Sequence, residues 1–411
     1  MKRKSRTRSR VHRDALRRSQ GNGTSDHGKV STRHYQRAAS PVLPLSSVVF
    51  TDDELIHGNL SNRDLRGVDL SGRNMEGASF ECADLSGANL SGADLTDANL
   101  TSANLTNVNL TGGRLRQTIL TKANLKRANL SGATLNGVNA EGVNLTNADL
   151  SKSLLAAVNL VNADLSGATF EQVVLLSVNF RLALVSSDQM SSSILFSTIL
   201  PDGEQRNDDL SGLYLHRADL LDVDFKGANL TKATFTEANM SGVALNNAKL
   251  KDANFSGANL TRAKLIGAKL WGTNLSGVNL EHANLTGASV VLANVTNANL
   301  TGARVADAKL YGALLTNADL TGAGLSHTNL KAVKLSGADL AGVNLSHASL
   351  LLEDLAGVNL AGADLSNADL ARANLTGANL VNANLANAEL YGAKLKDANI
   401  DGATMPDTFP F

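Results

Sequence analysis

The sequence is short of the residues that hold ordinary globular folds together. It has a single cysteine, Cys82, so an intrachain disulfide is impossible, and we expect a reducing, cytoplasmic setting. Aromatic residues make up only 4% of the chain, and the apolar fraction comes mainly from Leu, Ala and Val. Such a composition offers little variety of side-chain volume, so it favours a repetitive core.

Net charge is also absent, since 38 basic residues balance 38 acidic ones. The charges are nevertheless segregated, because residues 1–40 carry twelve Lys and Arg against only Asp14 and Asp26. No apolar run approaches the roughly 18 residues that span a bilayer, and the N-terminus lacks the apolar stretch of a secretory signal. Its Arg- and Ser-rich character leaves an organelle transit peptide as an alternative.

A period of five residues dominates the rest of the chain. From position 60 to 185 every fifth residue is Leu, Met, Phe or Val, except Ala140, and from 210 to 400 every fifth residue is Leu, Met, Phe, Val or Ile. A small residue usually lies two positions earlier, as in Ala78, Ala83, Ala88, Ala93, Ala98 and Ala103. Neither helices nor ordinary strands have this period. The consensus unit is A-(N/D)-L-(S/T)-G.

These units resemble those of the pentapeptide-repeat family. The resemblance implies an all-β fold, a right-handed quadrilateral β-helix with four units per coil, in which the central Leu and the small residue point inward. Gly or Asn two positions after the centre would supply the positive φ of each corner. All five prolines, Pro41, Pro44, Pro201, Pro406 and Pro410, lie outside the units, as an intercoil hydrogen-bond ladder requires.

The repeat lapses between about 186 and 209, which predicts two tandem solenoids. The stretches around Pro201 and Pro406 are similar, and we interpret both as stop signals. We therefore predict a disordered basic arm and linker (1–50), a first β-helix (51–203) and a second β-helix (204–411). One long bent helix is the alternative, because the five-residue phase survives the lapse. Arg63 and Arg73 replace Ala early on, which suits a polar first coil that covers an open edge.

Nothing in the sequence points to catalysis. The eight histidines are scattered, the glycines recur at corner positions, and the aspartates share a repeat position with Asn. We therefore predict that the protein is not an enzyme and that it uses no metal, cofactor or small-molecule substrate.

One outward column of the second block departs from the usual Ser or Thr. Its members follow the central residue on one side of successive coils, and several are large and apolar. A contiguous apolar surface usually marks a contact site, so we predict a contact stripe for a protein partner or a second copy. Plain stacking of large residues between coils is the alternative. The predicted stripe comprises Trp271, Val291, Tyr311, Leu351 and Tyr391, with Leu314 beside it.

Two further features call for local explanations. Leu154, Val174 and Ile194 form a second outward patch with Leu176 and Phe196, and we expect the interruption or the next solenoid to cover it. Glu353 occupies an inward position, where an unpaired carboxylate is costly, so we expect a local bulge there.

Three functions remain open. The first is a non-catalytic binding scaffold that presents stacked side-chain ladders. The second comes from the resemblance, since some bacterial members of the family protect DNA gyrase by mimicking a DNA duplex. A mimic needs acidic ladders, whereas one column here is mostly neutral and another is basic. The first reads Asn239, Asn259, Asn279, Asn299, Asp319, Asp339, Asn359 and Asn379, and the second reads Lys249, Lys269, Ser289 and Lys309.

The third function is attachment to nucleic acid or to an acidic surface through the arm, although a solvated tail without a partner is equally compatible with its composition. The residues that would make this attachment are Lys2, Arg3, Lys4, Arg6, Arg8, Arg10, Arg13, Arg17 and Arg18.

Overall fold

The hydrogen-bonded unit of the fold is a coil of four pentapeptides. The computed structural model describes residues 50–407. Parallel β-bridges join residues twenty positions apart, from Asn59–Ser79 at one end to Asn384–Thr404 at the other. Central residues donate to the coil above, as the N–H of Leu85 does to the carbonyl of Asn104 (2.7 Å). The predicted right-handed β-helix is therefore the observed architecture.

Most of the chain contributes single bridges, and only short segments are continuous strands. Helix α1 (Asp52–Leu55) precedes the first coil. Strands β1 (Thr134–Asn136), β2 (Leu154–Ala156), β3 (Val174–Leu176) and β4 (Ile194–Phe196) form a parallel sheet in that order. Strands β5 (Thr198–Ile199) and β6 (Gln205–Arg206) form an antiparallel pair. Within residues 50–407, no helix is long or apolar enough to cross a membrane.

The five-residue period has a direct steric cause. The central residue and the residue two before it are buried, as Leu85 and Ala83 show. Large and small side chains thus alternate around the coil and fill its interior. The residue two after the centre has a positive φ, 69° at Gly87 and 57° at Asn107, which turns the corner. Each residue type of the consensus therefore serves one position of the coil.

Helix α1 closes the first coil. Thr51 and Glu54 form a capping box at its N-terminus, and Leu55 is fully buried. Arg73 donates to the carbonyl of Phe50 (2.8 Å) and to Asp52 (2.7 Å). Arg73 thus helps to hold the covering segment in place, in agreement with the predicted polar first coil.

The bridge ladder is interrupted where the repeat lapses. Its last bridge in the first half is Asn179–Ile199, and it resumes at Tyr214–Thr234. Strands β5 and β6 occupy the interval and fold back on each other around the turn that begins at Pro201. We call the coils before the interval the first stack and those after it the second stack. The exact domain limits at 203 and 204 stay a prediction.

The side of the first stack packs against the beginning of the second. Leu154, Ala156 and Leu176 belong to the same buried cluster as Leu213 and Leu215, and Val174, Ile194 and Phe196 pack against it. The amide of Asn136 donates to the carbonyl of Leu221 (3.0 Å). The expectation that the second patch is covered by the next solenoid is therefore confirmed.

Candidate contact surface

The residues of the predicted contact stripe share one column on the second stack, which is interrupted between residues 331 and 351. The N–H of Gly272 donates to the carbonyl of Val291 (3.0 Å), and the N–H of Leu292 donates to that of Tyr311 (3.0 Å). These bonds place the side chains of successive coils directly above one another. The column therefore runs parallel to the axis of the stack, at about 4.8 Å per coil.

Its large members point into solvent. Trp271 is 43% exposed, Tyr311 52% and Tyr391 72%. Leu351 and Leu314 are exposed as well, whereas Val291 is half-buried between its neighbours. The outward placement agrees with the sequence analysis, and the role of the stripe in binding stays a prediction.

The structure adds Leu292 to this surface and explains the position of Leu352. Both follow the stripe residue by one position and lie at a corner, with φ of 56° and 65°. Both are exposed, Leu352 by 65%. A branched apolar side chain is unfavourable in the left-handed region and gains nothing from exposure. Leu292 stands two positions after the centre Val290, where the repeat predicts a corner, so the sequence contained the signal that the stripe, defined by the preceding position, left out.

A cation accompanies the first aromatic ring of the stripe. The ammonium nitrogen of Lys251 lies 4.4 Å from the centre of the Trp271 ring. This distance is within the range of a cation–π interaction. Lys251 and Trp271 are neighbours in the same column, one coil apart, so the stripe continues into a basic surface.

The expected bulge at Glu353 is confirmed. Glu353 is 9% exposed, and its Oε1 accepts the N–H of Ala332 (2.8 Å). In other coils this N–H binds a backbone carbonyl, as the N–H of Gly312 binds Lys331 (3.2 Å). Leu335 makes no backbone bond to the next coil, whereas its counterpart Leu315 donates to Lys334 (2.8 Å). The carboxylate therefore opens the ladder at one corner.

This opening forms a cleft of about 550 Å³ beside the stripe. It has apolar walls, two lysines and the buried carboxylate. The cleft is lined by Lys331, Val333, Lys334, Leu335, Leu351 and Glu353, among others. It is a break in an otherwise regular surface and separates the two ends of the stripe.

A second, charged cavity of about 310 Å³ lies between the two stacks. Arg114 and Arg116 contribute from the first stack, and Arg217 pairs with Glu237 (2.8 Å) from the second. The Nε of Arg116 is buried without a hydrogen-bond partner among the described residues. Sequence analysis could not find this cavity, because it exists only through the packing of the two stacks.

The outward aspartates have a structural role. The hydroxyl and N–H of Thr321 hydrogen-bond to Asp319 and lower the pKa of its carboxyl. Ser166 lowers the pKa of Asp164 in the same way. Each carboxylate thus caps the turn that follows it. In the described part of the chain, no group of three His, Cys, Asp or Glu residues could hold a metal.

The basic residues proposed for attachment, Lys2 to Arg18, lie outside the described residues. Their role stays a prediction.

Solved structures similar to this chain carry the same repeat. HetL of the cyanobacterium Nostoc sp. strain PCC 7120, which is involved in heterocyst differentiation regulation, is 28% identical over 69% of this chain and 92% of its own, with a TM-score of 0.28. QnrB1, a plasmid-mediated fluoroquinolone resistance protein, is 23% identical over 48% of this chain and 89% of its own, with a TM-score of 0.23. Rfr23 of the cyanobacterium Cyanothece 51142 is 29% identical over 33% of this chain and 86% of its own, with a TM-score of 0.12. These TM-scores are low, so the likenesses carry no functional argument.

Two family models identify the family of this chain, which the individual structures do not. No curated protein matches the chain. The model of pentapeptide repeats (8 copies) matches residues 59–97, 98–137, 123–160, 135–172, 298–337, 338–377 and 368–405, which together exceed half of the chain. A model described as a pentapeptide repeat region matches residues 212–285 between them. The chain belongs to the pentapeptide-repeat family.

Proposed function

We propose that the protein is a non-catalytic, cytoplasmic binding scaffold whose second stack contacts a protein partner or a second copy through the stripe. One observation carries this proposal: large apolar side chains occupy much of a solvent-facing column of the second stack, together with Lys331 and Ala371, whereas the first stack holds mostly Ser or Thr there. The first stack keeps Ser71, Ser91, Thr111, Ser131 and Ser151 at the matching positions. Because the backbone is the same in both stacks, the fold does not require aromatic residues there.

The corner residues strengthen the argument. Leu292 and Leu352 combine solvent exposure with a positive φ, and each condition alone disfavours Leu. Gly or Asn would suit both positions better. Leu182 of the first stack shows the same combination outside the stripe, so the corner conformation supports a contact surface only where large apolar neighbours adjoin it, as they do at Leu292 and Leu352.

A DNA-duplex mimic receives less support from the surface. The column from Asn239 to Asn379 is mostly neutral, with Asp319 and Asp339 as acidic members, and its amides hydrogen-bond along the stack, as Asn259 does to Asn239 (3.4 Å). The opposite side carries the exposed lysines Lys249, Lys269 and Lys309. A mimic would instead need regularly spaced negative charge on these sides.

The test is the solution mass of the full chain beside a variant with Trp271, Tyr311 and Tyr391 changed to Ser. If the stripe joins two copies, the parent protein is a dimer and the variant a monomer with an unchanged circular dichroism spectrum. A matched control changes Leu182, Leu184 and Tyr214, which are equally exposed but lie outside the stripe, to Ser.

If the parent is a monomer, the second-copy option is excluded, and the stripe is tested by capture of partners with parent and variant side by side. Equal capture by both would contradict the proposal.

A further inference from the structure

A column of lysines runs beside the stripe. Lys249, Lys269 and Lys309 occupy the position before the central residue, two residues ahead of the stripe position, and all three are exposed. Ser289 lies between Lys269 and Lys309 in this column. Two residues along a strand span about 6.6 Å. The second stack therefore carries two parallel tracks, one basic and one aromatic, that both follow its axis.

Exposed basic residues outnumber exposed acidic residues in this region. Two neighbouring sides of each coil are concerned: the side that bears the stripe and the side that precedes it in the sequence. Between residues 243 and 334, the exposed acidic residues on these two sides are Asp252 and Asp307. None of the exposed cations there belongs to an ion pair of the described residues. These cations are Lys249, Lys251, Lys264, Lys269, Arg304, Lys309 and Lys331.

The side chains of the aromatic track are partly exposed to solvent. Trp271 and Tyr311 are two coils apart, about 9.6 Å at strand spacing, with the half-buried Val291 between them. Roughly half of each ring is exposed. Lys251 lies against Trp271, so a cation and an aromatic ring already meet at the end of the track.

We propose that these two tracks bind single-stranded nucleic acid, with phosphates along the lysine column and unpaired bases against Trp271 and Tyr311. A basic path that follows the backbone and aromatic rings that stack on bases are the two components of such sites. The separation of the tracks is comparable to the distance from a phosphate to its base. A duplex hides the faces of its bases, so it would use the lysines but not the rings.

This inference rests on the proposed function in that the second stack serves as a binding scaffold. It gives the first part of the stripe, Trp271 to Tyr311, a nucleic acid in place of a protein and leaves Leu351, Leu352 and Tyr391 to the protein contact. An acidic polypeptide is the competing ligand, because it would satisfy the same lysines. Only nucleic acid can stack bases on the rings, so stacking distinguishes it from an acidic polypeptide.

The experiment uses the fluorescence of Trp271, the only tryptophan of the chain. The full-length protein is titrated with oligo(dT) of twenty nucleotides, and quenching of Trp271 is recorded. Binding through the basic N-terminal arm alone would raise the anisotropy of a labelled oligonucleotide without quenching Trp271. The site-specific signal therefore separates the proposed tracks from the arm.

We expect saturable quenching that weakens with salt. Changing Lys249, Lys269 and Lys309 to Glu should lower the affinity measured by quenching at least tenfold. Three lost phosphate contacts should also reduce the slope of log affinity against log salt by about 2. The matched control changes three exposed lysines of the first stack, Lys122, Lys126 and Lys152, to Glu and should retain the quenching affinity.

Three results would overturn the proposal. They are oligonucleotide binding without quenching, equal loss of affinity in the control variant, and equal quenching by polyglutamate, which would indicate an acidic protein ligand. None of them affects the solution-mass test of the stripe, so failure of the nucleic-acid assignment and failure of the scaffold proposal are distinguishable.

Discussion

The Oε1 of Glu353 lies 2.8 Å from the backbone nitrogen of Ala332 and takes the hydrogen bond that a carbonyl of the next coil accepts elsewhere in the stack. A carboxylate cannot enter the packed interior without a partner, so it remains at the corner and separates the two coils. One inward residue thus accounts for the missing ladder bonds and for the cleft.

Glu353→Ala should therefore stabilise the protein. It restores the consensus residue at an inward position and allows Leu335 to bond to the next coil. We expect a gain of about 1–3 kcal/mol in the free energy of unfolding, since a few backbone hydrogen bonds are regained. Hydrogen exchange should slow at residues 332–337. The control Asp354→Asn removes an adjacent outward charge and should change neither quantity, and a loss of stability in Glu353→Ala would contradict this account.

Leu176→Ala should loosen the packing between the stacks. Leu176 is fully buried and contributes to the cluster shared with the second stack. We expect a loss of about 2–5 kcal/mol, as for other buried Leu residues. Thermal unfolding and limited proteolysis around residues 201–209 would measure it. Leu182→Ala, at an exposed site, should have little effect. If the two variants lost the same free energy of unfolding, the burial of Leu176 in the shared cluster would contribute no stability.

Leu352→Asn should keep or increase stability while it weakens binding through the stripe. Asn accepts the left-handed backbone that Leu disfavours, with a relief of about 1 kcal/mol. Chemical denaturation measures the first effect, and solution mass or partner capture measures the second. If the variant unfolds more easily, Leu352 contributes to the fold rather than to contact.

Acid should destabilise the protein through its capped carboxylates. The pKa of Asp319 and of Asp164 is lower in the folded chain than the ordinary value of 3.8. Their contribution is complete above that value and is lost as the pH falls through the lowered folded pKa. Asn at both positions should flatten the loss of stability below about pH 4. Unchanged acid unfolding in the double variant would exclude this contribution.

The sequence predicted the coil almost completely, because one residue type serves each position. The period located the inward Leu and Ala residues, the Glu353 bulge and the outward face of Trp271. It also marks Leu292 as a corner residue two positions after Val290, but the predicted stripe followed only the preceding position of each unit. The period could not locate the cavity at Arg116, because the contact between the stacks depends on an interval in which the period fails.

The twenty-residue coil also constrains how this surface can evolve. An insertion of twenty residues adds one coil and leaves every later column on its original side. An insertion of five keeps the buried pattern intact but rotates all later residues by a quarter turn. The Trp271 and Tyr311 rings would then be separated onto different sides if such an insertion fell between them, although the protein would fold as before. Selection on binding should therefore permit insertions of twenty residues, whereas selection on folding alone permits any multiple of five.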